Sequence, residues 1–165
     1  MNRKQKKNLI TLANGLMNFD VNKYPNVRFE MLTFGNCYNY NEQENECGTV
    51  GCALGHAPLF GFKYIPMYEI HPGTLTERFN PKGERWEDFG KRVFGVSTMF
   101  RNWDWLFAGG WTIIDNTRRG AAQRIIYMLQ YGVPEDWSYD RDTIDLYKDI
   151  TGFCPQWLKE NSHAE

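Results

Sequence analysis

The spacing of apolar residues along the chain predicts a mainly helical protein. Large apolar side chains recur every three to four residues in several stretches, which is the spacing that places them on one face of an α-helix. Capping residues and glycines bound most of these stretches, as expected at helix ends. The predicted helices cover about residues 3–18, 49–57, 86–94, 97–107, 117–130 and, with a less regular pattern, 143–151.

Two other segments look extended, and they predict a small β element. Residues 27–34 alternate loosely between apolar and polar positions, and residues 62–70 contain a short extended piece. We expect these two segments to pair as a two-stranded ribbon. The sequence therefore predicts a compact, mainly α domain of about five to six helices over residues 1–160, with a frayed tail at 161–165.

The composition narrows the class of protein. The 165 residues carry a formal net charge of −1, which argues against general nucleic-acid binding, because that needs an excess of basic residues. No apolar run is long enough to cross a membrane, and the basic start lacks the apolar core of a signal peptide. We therefore expect a cytoplasmic protein whose four cysteines are thiols or metal ligands rather than disulfides.

Four strings of the sequence resemble a group of small bacteriophage and prophage proteins of unknown function. They are CGTVGCALGHAP (47–58), WEDFGKRVFGV (86–96), WDWLFAGGWTIIDNTRRGAAQRIIYML (103–129) and GVPEDW (132–137). The likeness covers roughly residues 45–137. It implies a phage or prophage origin and a bacterial cytoplasmic setting, but it implies no activity, since none is assigned to the group.

Cysteine and histidine residues near the middle of the chain suggest a metal site. Cys37, Cys47, Cys52 and His56 follow one another with intervals of nine, four and three residues, and these side-chain types suit zinc. The intervals lack the close pair of cysteines that is typical of zinc knuckles. The alternative is that no cofactor binds and that Cys52 is a small apolar residue in a tight helix contact.

Cys47 also suggests a thiol nucleophile. It precedes a predicted helix, whose N-terminal dipole favours the thiolate. His71 or His56 would then act as the base, with Asp115 or Asn116 following in the order seen in papain-like hydrolases. The alternative is that Cys47 lies in a capping region and that His71 is a surface loop residue.

Arg118 and Arg119 predict an anion site. They stand in the first turn of the helix that begins after Asn116, where cations oppose the helix dipole. Backbone amides and guanidinium groups both suit phosphate, so the pattern makes sense if an anion binds there. Thr49, the expected N-cap of the helix at 49–57, joins the predicted ligand-binding set. The alternative is that the arginines pair with Glu135 or Asp136, or lie in solvent.

Trp103 and Trp105 predict a stacking surface beside these arginines. Positions two apart in sequence point in directions about 200° apart around a helix, so the two tryptophans cannot share one face. We expect one of them to face solvent or a groove, where it would stack on a nucleobase. The alternative is ordinary core packing in a protein that is rich in aromatic residues.

These patterns favour a binding protein over an enzyme. The favoured function is a non-enzymatic phage accessory protein that inhibits a host process or host defence. It would bind a host protein or a small phosphorylated, nucleotide-like molecule, and no cofactor is expected. The alternatives are a Cys47-dependent hydrolase and a zinc-stabilised interaction domain.

Overall fold

Helices make up most of the architecture, as the apolar spacing predicts. The computed structural model of the chain describes residues 1–29, 36–37, 49–70, 77–107, 111 and 116–135. Within these ranges there are five α-helices, and a 3-10 turn follows the second of them. The helices are α1 (Arg3–Met17), α2 (Ala53–His56), α3 (Trp86–Phe94), α4 (Arg101–Phe107) and α5 (Arg118–Tyr131), and the 3-10 turn is Ala57–Phe60.

Helix α1 is central to the core. A capping box starts it: the Asn2 side chain accepts from the Gln5 amide at 2.9 Å, and the Gln5 side chain accepts from the Asn2 amide at 2.8 Å. Its apolar stripe, which includes Leu9 and Leu12, is fully buried. It packs against α5 and α3, and the Asn8 side chain donates to the Val93 carbonyl at 2.7 Å. This helix therefore joins the two longest remaining helices.

Helix α3 has end residues that fit its boundaries. Glu87 and Asp88 lie in its first turn, and Lys91 and Arg92 lie in its last, which matches the helix dipole at both ends. Gly95 follows with φ of 69°, a left-handed conformation that glycine adopts at low cost. The predicted stop at Gly95 is confirmed.

In the described part of the chain, five short strands accompany the helices. Strands β1 (Arg28–Phe29), β2 (Asn36–Cys37) and β3 (Thr49–Gly51) form a sheet in the order β1-β3-β2. Strand β3 pairs in parallel with β1 and antiparallel with β2. Strands β4 (Tyr68–Ile70) and β5 (Glu77–Phe79) pair antiparallel. For the residues of these segments that the structure describes, the predicted pairing of 27–34 with 62–70 is therefore wrong, because β1 pairs with β3 and β4 pairs with β5.

Two predicted helix starts also need correction. Thr49 lies in strand β3 and does not cap a helix; α2 begins after Cys52 and lasts one turn before the 3-10 turn that contains Pro58. Helix α4 begins at Arg101, because residues 97–100 form a turn in which the Ser97 hydroxyl accepts from the Met99 amide at 3.4 Å. The helix predicted at 143–151 and the tail at 161–165 lie outside the described residues.

A bilayer span needs a longer and more apolar helix than any in the part of the chain that the structure describes.

Candidate anion-binding site

The start of α5 places two arginines side by side, as the sequence predicts. Thr117 is the N-cap, and its hydroxyl accepts from the Gly120 amide at 2.9 Å. Arg118 and Arg119 follow as the first two residues of this 14-residue helix, and its first turn contains no acidic residue. Asn116, which precedes the cap, is half-buried. The first turn therefore adds positive charge to an end that is already positive.

Arg118 points into the protein and touches three other parts of it. Its Nε donates to Nε2 of His56 at 3.2 Å, and its Nη2 donates to the carbonyl oxygen of Val27. Its guanidinium carbon lies 3.9 Å from the ring centre of Phe19 and 6.0 Å from that of Phe29, within range for cation–π attraction. We call these five residues the Arg118 cluster.

The charge of Arg118 has no carboxylate beside it among the described residues. Both of its hydrogen-bond acceptors are neutral, and the ion pairs of that part of the chain, Arg85–Asp88 and Arg92–Glu84, involve other residues. The side chain is half-buried, and burial lowers the pKa of the guanidinium below its ordinary value. Within the described ranges, the cluster therefore contains a partly desolvated cation whose hydrogen-bond partners are both neutral.

His56 is the fully buried residue of the Arg118 cluster. Its Nδ1 lies 3.0 Å from the carbonyl oxygen of Cys52. That carbonyl can only accept, so Nδ1 carries the proton and Nε2 is the acceptor for Arg118. The ring packs against Phe19 and Phe29, with centroid separations of 5.5 and 5.3 Å. Both ring nitrogens are thus engaged by the fold.

Arg119 differs from its neighbour in being exposed. The predicted alternative partner Glu135 forms no ion pair with either arginine; it too is exposed, and its backbone carbonyl accepts from Arg101. Asp136, the other alternative partner, lies outside the described residues. Arg119 is therefore available to solvent, next to a half-buried cation.

The predicted stacking surface at Trp103 and Trp105 is wrong, because both side chains are buried. Trp103 is 6% exposed and Trp105 is 0% exposed. Trp103 packs against α3, where a Cβ on Gly90 would come within 2.8 Å of its ring. Trp105 faces α5, and its Nε1 donates to the carbonyl of Arg124 at 2.9 Å. Helix α4 is covered on both sides, so neither indole is left for a base.

The predicted zinc ligands are not assembled within the described residues. No group of three histidine, cysteine or acidic side chains suited to a metal occurs there. Burial raises the pKa of the Cys52 thiol to about 11, which disfavours the thiolate that zinc requires. The two nitrogens of His56 are already hydrogen-bonded. Only the backbone of Cys37, in β2, is described, and Cys47 and His71 lie outside the described residues.

Sequence reasoning missed most of the Arg118 cluster. The sequence pattern suggests His56 only as a metal ligand or a base, and it does not point to Phe19 or Val27. These residues lie far from Arg118 along the chain, at 62 positions for His56 and 91 for Val27. No local spacing rule connects positions so far apart, so only the folded chain shows that they meet.

Comparison with protein-family models, with curated proteins and with solved structures finds no match to the chain. The function of the protein must therefore be inferred from the residues of the Arg118 cluster and of the first turn of α5.

Proposed function

We propose that the chain is a phage-encoded accessory protein that acts by binding, and that the start of α5 receives the phosphate of a small nucleotide-like molecule. The observation that carries the proposal is the half-buried charge of Arg118, which has only neutral partners among the described residues. A cation in that position gains from an added anion, since removal from water makes an uncompensated charge costly.

The neighbourhood of Arg118 suits phosphate in particular. The N-terminus of a helix presents unpaired amide N–H groups and a positive dipole end, which together bind anions. Arg119 adds a second guanidinium in the same turn, and charge-assisted hydrogen bonds from arginine to phosphate are among the stronger ones. A carboxylate-free first turn keeps this positive charge available.

The burial of Trp103 and Trp105 removes them as stacking partners for a nucleobase. The phosphate is therefore the part of a nucleotide that the described residues would recognise. Inhibition of a host process by withdrawing such a molecule, or by masking a host protein that carries phosphate, is the cellular role that this chemistry favours. The phage origin rests on the resemblance of the four sequence strings.

The test compares ligand uptake by charge-reversed variants. ADP serves as the probe, and its affinity is measured by isothermal titration calorimetry. Arg119→Glu should weaken ADP binding by more than tenfold, because it replaces an attraction at the helix start with a repulsion worth about 1.4 kcal/mol or more. Arg85→Glu is the matched control, since Arg85 is an exposed arginine at the start of α3.

Two outcomes would contradict the proposal. One is that ADP does not bind the wild-type protein. The other is that ADP binds Arg119→Glu and the wild-type protein with equal affinity. Either result would show that the start of α5 is not a phosphate site.

A further variant, Cys47→Ala, separates binding from the hydrolase alternative. It should leave ADP affinity unchanged, whereas an enzyme that depends on this thiol would lose its effect on the host.

A further inference from the structure

The hydrogen bonds of Arg118 use one edge of its guanidinium group. A guanidinium has five N–H donors arranged in a planar fork. The edge formed by Nε and Nη2 faces His56 and Val27, each of which accepts one hydrogen bond. Nη1 makes no hydrogen bond to any described residue. The edge formed by Nη1 and the second hydrogen of Nη2 is therefore the one left for a bidentate contact.

We infer that His56 is a positioning residue, which holds Arg118 so that this second edge receives two oxygens of a phosphate group. The inference rests on the proposed function and names the part of the ligand that Arg118 contacts, namely a terminal phosphate. Paired N–H donors match two phosphate oxygens in a planar, two-pronged contact, which fixes orientation as well as adding affinity.

The chemical identity of His56 matters for this role. An aspartate or glutamate in its place would hold Arg118 equally well, but it would also neutralise the charge that the ligand needs. An imidazole nitrogen accepts the hydrogen bond of Arg118 and brings no negative charge to it. Its own orientation is fixed by the hydrogen bond from Nδ1 to the Cys52 carbonyl at 3.0 Å and by full burial.

Phe19 adds a third contact to the guanidinium group. The guanidinium carbon lies 3.9 Å from the centre of this ring, within range for a cation–π attraction that holds the group against the ring. His56 and Val27 set the direction of the group, and Phe19 limits its movement. A group held in this way loses less entropy when it binds a ligand, which is how preorganisation raises affinity.

The test separates positioning from simple structural support with two substitutions at one site. His56→Phe keeps a ring between Phe19 and Phe29 but removes the acceptor, and His56→Gln supplies an amide oxygen at similar reach. ADP affinity, measured by calorimetry, should fall about tenfold in His56→Phe, and His56→Gln should recover it to within about threefold. Arg85→Ala serves as the control and should bind ADP like the wild-type protein.

A spectroscopic signal reports the orientation of Arg118 independently. In the wild-type protein, the Nε–H resonance of Arg118 should be shifted by the Phe19 ring and protected from exchange with water. His56→Gln should keep this resonance and His56→Phe should lose it. Where His56→Phe does not fold, Phe19→Leu replaces it; this variant keeps both hydrogen bonds, and its ADP affinity should fall about threefold.

Three results would overturn the positioning role while leaving the phosphate site in place. One is unchanged ADP affinity in a folded His56→Phe protein whose Arg118 resonance is lost. Another is weakened binding with the resonance intact, and the third is unchanged affinity in Phe19→Leu. Failure of the proposed function gives other results: ADP would then not bind the wild-type protein, or its affinity would be the same for Arg119→Glu and the wild-type protein.

Discussion

Arg118 and Arg119 are adjacent in sequence, but their different surroundings predict unequal effects of their substitutions on stability. Arg118→Ala removes the hydrogen bonds to His56 and Val27 and the stacking on Phe19. It also leaves Nε2 of His56, inside a fully buried residue, without its guanidinium donor. Arg119→Ala removes an exposed side chain that opposes the helix dipole.

The magnitudes follow from these contacts. A buried acceptor that loses its donor costs about 1–3 kcal/mol, and loss of the cation–π contact adds about 0.5–1 kcal/mol. The substitution also removes a half-buried charge and with it the cost of desolvating that charge, which offsets part of this loss. We expect Arg118→Ala to lower the free energy of unfolding by about 2 kcal/mol, whereas Arg119→Ala should change it by less than about 0.5 kcal/mol.

Thermal and urea unfolding, monitored by circular dichroism, measure the stability of both variants. For a domain of this size, a loss of about 2 kcal/mol corresponds to a fall in Tm of about 4–8 °C. Equal stability of the two variants would refute the inward contacts of Arg118. A larger loss for Arg119→Ala than for Arg118→Ala would refute the assignment of buried and exposed positions.

Three further predictions concern other parts of the fold. Gly95→Ala should lower the free energy of unfolding by about 1–2 kcal/mol, because a side chain is strained at a φ of 69° and its Cβ would lie 2.5 Å from Oε1 of Gln5. A urea unfolding curve that matches the wild-type curve would contradict this. Iodoacetamide at pH 8 should modify Cys52 only after denaturation, because burial raises the pKa of its thiol to about 11. Labelling of Cys52 in the native protein, detected by peptide mass spectrometry, would contradict this prediction. Burial, and then two neighbouring glutamates, raise the pKa of Tyr64 to about 12. The folded state therefore holds this proton more tightly than the unfolded state, and stability should fall as pH rises from about 10 to 12. The free energy of unfolding of Tyr64→Phe, measured with urea, should fall less steeply over this pH range than that of the wild-type protein. Parallel curves for the two proteins would contradict the raised pKa of Tyr64.

Much of the helical framework could be predicted from local patterns. Helix α1 has a regular apolar stripe, α3 ends at Gly95, and α5 begins after Thr117; in each case the deciding residues are close together in sequence. Strand pairing could not be predicted in the same way. Strands of two or three residues show too little alternation to identify a face or a partner.

The candidate site was predicted only in part, for a related reason. The position of Arg118 and Arg119 at a helix start is a local property, and the structure confirms it. The surroundings of Arg118 come from α2 and from the segment before β1, so they depend on tertiary packing. The burial of Trp103 and Trp105 also depends on packing, because α4 contacts different elements on two sides.

The central claim is that the start of α5 binds a phosphate group. Its most direct test is an amide nitrogen–proton NMR titration of the wild-type protein with ADP. We predict saturable shifts that are largest for the amides of Arg118 and Arg119, and that need more than about ten times as much ADP in Arg119→Glu. Absence of saturable shifts at these two amides, or shifts confined to another part of the molecule, would contradict the phosphate site.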